Sequence, residues 1–183
     1  MAVVVGTNCG FCADQPTSNP SGSFGPSWGP SRTVINGDFT SPTGSYRVTE
    51  LGIWLDNQGT NGSTLDLGIY DWDGKKAANL LTHGTVAYAA TEQWYRVTLG
   101  TKYTLASATS YCLACAWSPT TNYGSSNYAG TAANHTVLKN STYPLPATNT
   151  STWALKRYIA MYALYEEAPT SVTVPFRACS IIM

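Results

Sequence analysis

Two runs of alternating character between Tyr46 and Gly74 constrain the chain most. In YRVTELGIWLDN, Leu51, Ile53 and Leu55 fall on one face, with Glu50, Gly52, Trp54 and Asp56 on the other. In TLDLGIYDWDG, Leu65, Leu67 and Ile69 share a face opposite Asp66, Gly68 and Tyr70. Successive side chains of a strand point to opposite sides, so a period of two predicts two half-buried antiparallel strands. The eight residues DNQGTNGS between them tolerate positive φ or bond to their own backbone, which makes a hairpin the expected link. A second turn is expected over Asp71–Gly74.

Composition supports the same class. Charged residues make up only 11% of the 183, against roughly a quarter in an average soluble protein, and small polar residues take their place. This suits a protein of sheets and turns, long enough to bury one core. The formal net charge is zero, so long-range attraction favours neither nucleic acid nor an anionic membrane as a partner. No apolar run approaches the ~20 residues that span a bilayer as a helix. The start, MAVVVGTNCGFC, lacks a basic region and a full apolar core, so no signal peptide is expected. Four Asn-x-Ser/Thr triplets begin at Asn61, Asn134, Asn140 and Asn149; in a chain this rich in Asn, Ser and Thr they carry no weight alone.

Along the chain, residues 13–31 are broken by Pro and Gly and read as an irregular segment with Phe24 and Trp28 as anchors. Strands are expected over Thr33–Phe39, Gly84–Tyr88 and Trp94–Leu99, and Tyr103–Leu105 leads on to the next run. SYCLACAW (Ser110–Trp117) is apolar throughout and predicts a strand covered on both faces. Lys75–His83 has a weak helical flavour, and 118–152 is too polar to place elements. Trp153–Glu167 fits helix or strand, and the all-β context selects strand. The sum is an all-β, antiparallel, jelly-roll-like sandwich with long irregular loops. Residues 1–167 form its single domain, opened by an extended N-terminal segment, and 168–183 form a C-terminal arm.

VTELGIWLDN, LDLGIYDWDG, WYRVTL, SYCLACAW and IAMYALYEE, in this order and after MAVVVGTNCGFC, resemble a family of β-sandwich modules. Such modules occur in tailed-phage virion proteins and in related environmental and bacterial surface proteins. The likeness spans about residues 1–167 and marks strands rather than active-site residues. Cys112 and Cys115 depart from it, standing where the family tends to place apolar residues. The resemblance implies a non-enzymatic virion structural protein, a capsid decoration or fibre-type subunit. It would be made in the host cytoplasm, located in the virion, and partnered by copies of itself or by the major capsid or tail protein.

Candidate chemistry is sparse. Cys9-Gly-Phe-Cys12 and Cys112-Leu-Ala-Cys115 have zinc-like spacing. Residues three apart in a strand point to opposite faces, so the second pair cannot converge on one ion. Buried thiols are favoured over zinc and over a disulfide joining an N-terminal cysteine to a strand cysteine. With five cysteines, at least one is left over. Asp71-Trp-Asp73-Gly74 is half of a calcium loop, explained equally by an Asp-Gly turn. The Asp56 and Asp71 loops are the candidate calcium sites, and no cofactor is required.

His83 and His135 sit in polar contexts where a solvated imidazole is the default. Asp38, Glu50, Asp66 and Glu92 offer no spacing that singles out a glycosidase pair, so no enzyme is expected. Trp54, Trp72 and Trp94 are the candidate glycan-facing aromatics, which gives the alternative reading, a carbohydrate-binding adhesion module. The competing explanation, that these rings pack into the sandwich or under its loops, is favoured on general grounds. In the arm, proline at 169 and 175 keeps the run from being a central strand. Burial on its own chain and on a neighbour both fit, and the resemblance to assembling virion proteins selects Val172, Val174, Phe176, Ile181 and Ile182 as contacts to a neighbouring subunit.

Overall fold

The computed structural model describes residues 3–5, 7–12, 20, 24–28, 32–57, 61–118, 124–127, 135–140, 143–150, 155–156 and 159–169. These contain no helix. Their strands are β1 (Cys9–Gly10), β2 (Phe24–Trp28), β3 (Arg32–Thr40), β4 (Tyr46–Leu55), β5 (Thr64–Trp72) and β6 (Ala77–Ala87). The chain continues through β7 (Gln93–Leu105), β8 (Ser110–Trp117), β9 (Gly124–Asn127), β10 (His135–Asn140), β11 (Leu155–Lys156) and β12 (Met161–Glu167).

Two antiparallel sheets pack face to face. The first runs β1-β12-β4-β7, and β9 with β2 extends it where Leu55 pairs with Ser126. The second runs β11-β10-β3-β8-β5-β6. The order β1-β12-β4-β7 over β3-β8-β5-β6 is that of an eight-stranded jelly roll. The expected sandwich is therefore present.

The linkage of the two founding strands differs from expectation. β4 and β5 are not a hairpin. β4 pairs with β12 and β7, whereas β5 pairs with β6 and β8 in the opposite sheet. The polar loop between them crosses from one sheet to the other. Leu51, Ile53 and Leu55 consequently meet Leu65, Leu67 and Ile69 across the sandwich, in one buried cluster with Val34, Val97, Leu113, Trp117 and Met161. Each such apolar side chain withdrawn from water contributes roughly 1.5–3 kcal/mol. The facing of both triplets onto one core agrees with the alternation; only their pairing does not.

β5 does form a hairpin, with β6, through the Asp71–Gly74 turn. Asp73 Oδ1 accepts the backbone N–H groups of Lys75 and Lys76 at 2.8 Å each, and Gly74 takes φ +91°, a conformation costly for other residues. These two bonds, to Lys75 and then Lys76, hold the Asp73 carboxyl below its ordinary range. Lys75–His83 is thus turn and strand, not helix, because pairing with β5 overrides a weak local preference.

β8 is buried along its length, and on both faces. Tyr111, Leu113, Cys115 and Trp117 face the main core, while Cys112, Ala114 and Ala116 face a second layer with Ile35, Tyr70, Ala77 and Leu145. That layer is closed by 143–149. Leu80 N–H donates to Ala147 O, Asn149 N–H to Ala78 O, and the Tyr70 hydroxyl to Pro146 O. Segments in which the sequence places no strand also hold strands. Phe24–Trp28 pairs with Gly124–Asn127, its register slipping between Phe24 and Ser27. Gly25-Pro26 lies at that slip, and an outermost strand tolerates the N–H that proline lacks.

Candidate functional site

The outward face of the first sheet collects the most polar and aromatic groups. Alternation turns Glu50, Gly52 and Trp54 of β4 away from the core. Trp94 and Arg96 of β7 and Tyr162 of β12 join them, because Gly52 pairs with Tyr162 on one side and Arg96 on the other. The Tyr162 ring lies across the Gly52 backbone: a Cβ there would sit 2.0 Å from a ring carbon. Glycine is required at this approach. The Tyr162 hydroxyl donates to Glu50 Oε1 in a short hydrogen bond. Burial first, and this bond second, push the Tyr162 hydroxyl well above its ordinary pKa. Trp94 packs edge-on against Tyr162 (5.2 Å between centroids) and against Trp54 (5.7 Å), and the Arg96 guanidinium stands 5.8 Å from the Tyr162 centroid.

Trp54 and Trp94 of the expected aromatic set are thus neighbours, and Tyr162, which sequence reasoning had not singled out, links Trp94 to Glu50. Trp54 is only 6% exposed and Tyr162 1%, so the surface left to a ligand is the half-buried Trp94 with exposed Arg96. Trp72 does not belong here. It is half-buried against the second layer of the other sheet. The arm residues Val172, Val174, Phe176, Ile181 and Ile182 lie outside the described residues.

The carboxylates are scattered, and several of them are engaged. Asp66, fully buried on the outer face of the second sheet, accepts His83 Nδ1 at 2.8 Å on one oxygen and the Leu145 N–H at 2.9 Å on the other. His83 therefore sits in strand β6 beside an acid, with about half its side chain exposed. Asp66 and Glu50 lie on opposite outer faces and form no catalytic pair. Asp71 is bound through both oxygens by Asn79, and Asp56 is buried. Among the described residues no three His, Cys, Asp or Glu side chains converge. Asp38's side chain and His135's are outside those described.

An open cleft of about 530 Å³ lies where β4 and β12 end, lined by Thr7, Asn8, Tyr46, Tyr165, Glu166 and Glu167. Tyr46 and Tyr165 meet edge to face at 5.3 Å. Burial first, then the nearby Cys9 and Cys12 thiols, push the Tyr165 hydroxyl up to about 12; it donates to Cys9 O. Glu166 is bridged by Lys102 at 2.9 Å and Arg47 at 2.6 Å, which hold its carboxyl below the ordinary range. Ala168, the first arm residue, donates its N–H to Ser45 O beside this cleft. No sequence pattern marks the cleft, which exists because Glu167 pairs with Tyr46.

The two cysteine pairs differ. Cys112 and Cys115 point into separate layers, as strand geometry dictates. Cys9 and Cys12 turn toward each other, with sulfurs 3.8 Å apart.

These features define a jelly-roll β-sandwich with an aromatic patch on one outer face and a tyrosine-lined cleft at one end. No protein-family model matches the chain, and comparison with curated proteins finds no significant match.

Proposed function

We propose that the protein is a non-enzymatic structural subunit of a virion, a capsid-decoration or fibre-type component of a tailed phage that works by assembly. The observation that carries this reading is the strand order, since the eight-stranded jelly roll serves capsid subunits and lectins. Fold alone does not fix function, and the resemblance of the strand motifs supports the choice of class. The engaged carboxylates fit it too: Asp66, Glu50 and Glu166 are spent on holding strands and loops together. Its partners would be further copies of the chain or the major capsid or tail protein, bound in part through the arm at 168–183.

Light scattering and electron microscopy of the full chain test this. Discrete oligomers, or binding to capsid or tail particles, are expected. Removal of residues 168–183 should abolish that association while leaving a cooperative melt. A chain that stays monomeric and ignores such particles overturns the proposal. An unchanged assembly state in the truncated protein removes the arm from it.

The alternative, a carbohydrate-binding adhesion module, is favoured by one feature, the open cleft with its Tyr46–Tyr165 floor. Aromatic faces beside carboxylates suit sugar rings. Saturable binding to a glycan array by a monomer, lost in Tyr46→Ala, would establish it.

A further inference from the structure

Cys9-Gly10-Phe11-Cys12 is built differently from the other cysteine pair. A straight strand would send residues three apart to opposite faces, as happens at Cys112 and Cys115. Here β1 ends at Gly10, and Phe11 takes φ +61°, a left-handed conformation uncommon outside glycine. The ring of Phe11 pins this turn. It is 6% exposed and packs edge-on against Phe39 (5.6 Å) and Tyr111 (6.4 Å) in the main core. The reversal brings the two sulfurs to 3.8 Å, with no bond between them. A disulfide needs about 2.05 Å. Strain held at a non-glycine residue such as Phe11 is characteristic of functional turns. The two thiols are also unequal: Cys9 is fully buried, Cys12 half-buried.

We infer that Cys9 and Cys12 form a redox-active dithiol, a site of thiol–disulfide exchange with small soluble disulfides such as oxidised glutathione. Cys12, the accessible sulfur, attacks as thiolate one sulfur of the small disulfide; the S–S bond breaks and one glutathione thiolate leaves. Cys9 Sγ then attacks Cys12 Sγ in the mixed disulfide. The second glutathione departs and takes up the proton that Cys9 gives off. Two protein thiols are oxidised, and one disulfide is reduced to two thiols. The hydrogen bond between the sulfurs, followed by burial, holds Cys9 protonated until that second step. This orders the roles, with Cys12 first and Cys9 resolving. The bond would close the chain just beyond β1, where that short strand edges β12.

The chain permits a clean test, because its five cysteines fall on three tryptic peptides: 1–32, 103–139 and 178–183. The folded protein is equilibrated in glutathione buffers of increasing oxidised fraction, quenched in denaturant with iodoacetamide, digested, and weighed. Peptide 1–32 should become lighter by two hydrogens and lose both alkyl groups, while 103–139 keeps its two. Cys9→Ser should arrest the reaction as a glutathione adduct on Cys12, and Cys12→Ser should leave Cys9 alkylated. The folded chain should close the bond in a more reducing buffer than the urea-unfolded chain, which shows that the turn, not mere sequence proximity, favours it. Cys9 and Cys12 remaining alkylated across the series, cross-linking of 1–32 to another peptide, or equal midpoints in folded and unfolded chains would each overturn the inference.

Discussion

Replacing Gly52 with alanine adds one methyl group, yet the structure gives it no room. The new Cβ would lie 2.0, 2.5 and 2.8 Å from three atoms of the Tyr162 ring, none of them a flexible chain end. The ring cannot slide along the sheet, since its hydroxyl is tied to Glu50 and its edge to Trp94. It must swing off β4 or push the strands apart. Overpacking costs about 1–3 kcal/mol, a hydrogen bond to a charged acceptor about 1.5–3, and an aromatic pair about 0.5–1.5. These losses are coupled rather than additive, so about 3–5 kcal/mol is the expected destabilisation. Urea unfolding followed by tryptophan fluorescence measures it. The decisive comparison uses Tyr162→Ala as background. With the ring gone, Gly52→Ala loses its clash and keeps only the gain from replacing a strand glycine, roughly 0.5–1 kcal/mol in the stabilising direction. A sign reversal between the two backgrounds is therefore expected. If Gly52→Ala unfolds within ~0.5 kcal/mol of the parent, the margin usual for innocuous surface changes, the placement of Tyr162 over β4 is wrong.

Ile53→Asp puts a carboxylate into the core at a fully buried position, and should cost several kcal/mol, enough to abolish a cooperative melt in a protein of ordinary stability; a parent-like melt would refute the register of β4. Alkaline pH should also destabilise the fold. Tyr165 has its folded pKa raised from 10.0 to about 12, so its contribution is whole below pH 10 and is lost as pH rises toward 12. Tyr70, Tyr162, Cys9 and Cys115 are shifted upward as well and act in the same direction. Thermal melts across this range should fall, with a shallower slope in Tyr165→Phe; a flat profile would contradict the burial of these groups.

The features legible in the chain alone are local ones. Alternation is a property of neighbours along a strand, so Leu51, Ile53, Leu55, Leu65, Leu67 and Ile69 could be placed on core faces before any partner was known. The unbroken apolar run at Ser110–Trp117 announced a strand covered on both sides, and Asp73-Gly74 its turn. The separation of Cys112 from Cys115 followed from the same period. Pairing was another matter. A polar loop of suitable composition joins two strands equally well within one sheet or between two, and only the packing of the whole sandwich sent β4 and β5 to opposite layers. Sequence likewise could not supply the cover on β8, which comes from 143–149, or the bond from Leu145 to Asp66 across 79 positions. Tyr162 and Glu50, 112 positions apart, meet because β12 lies beside β4. The approach of Cys9 to Cys12 depends on a left-handed Phe11 whose ring is anchored by Phe39 and Tyr111, residues far along the chain. Side-chain period is written in the sequence, whereas the site arises from strand neighbours, and these are chosen by the burial of every strand at once.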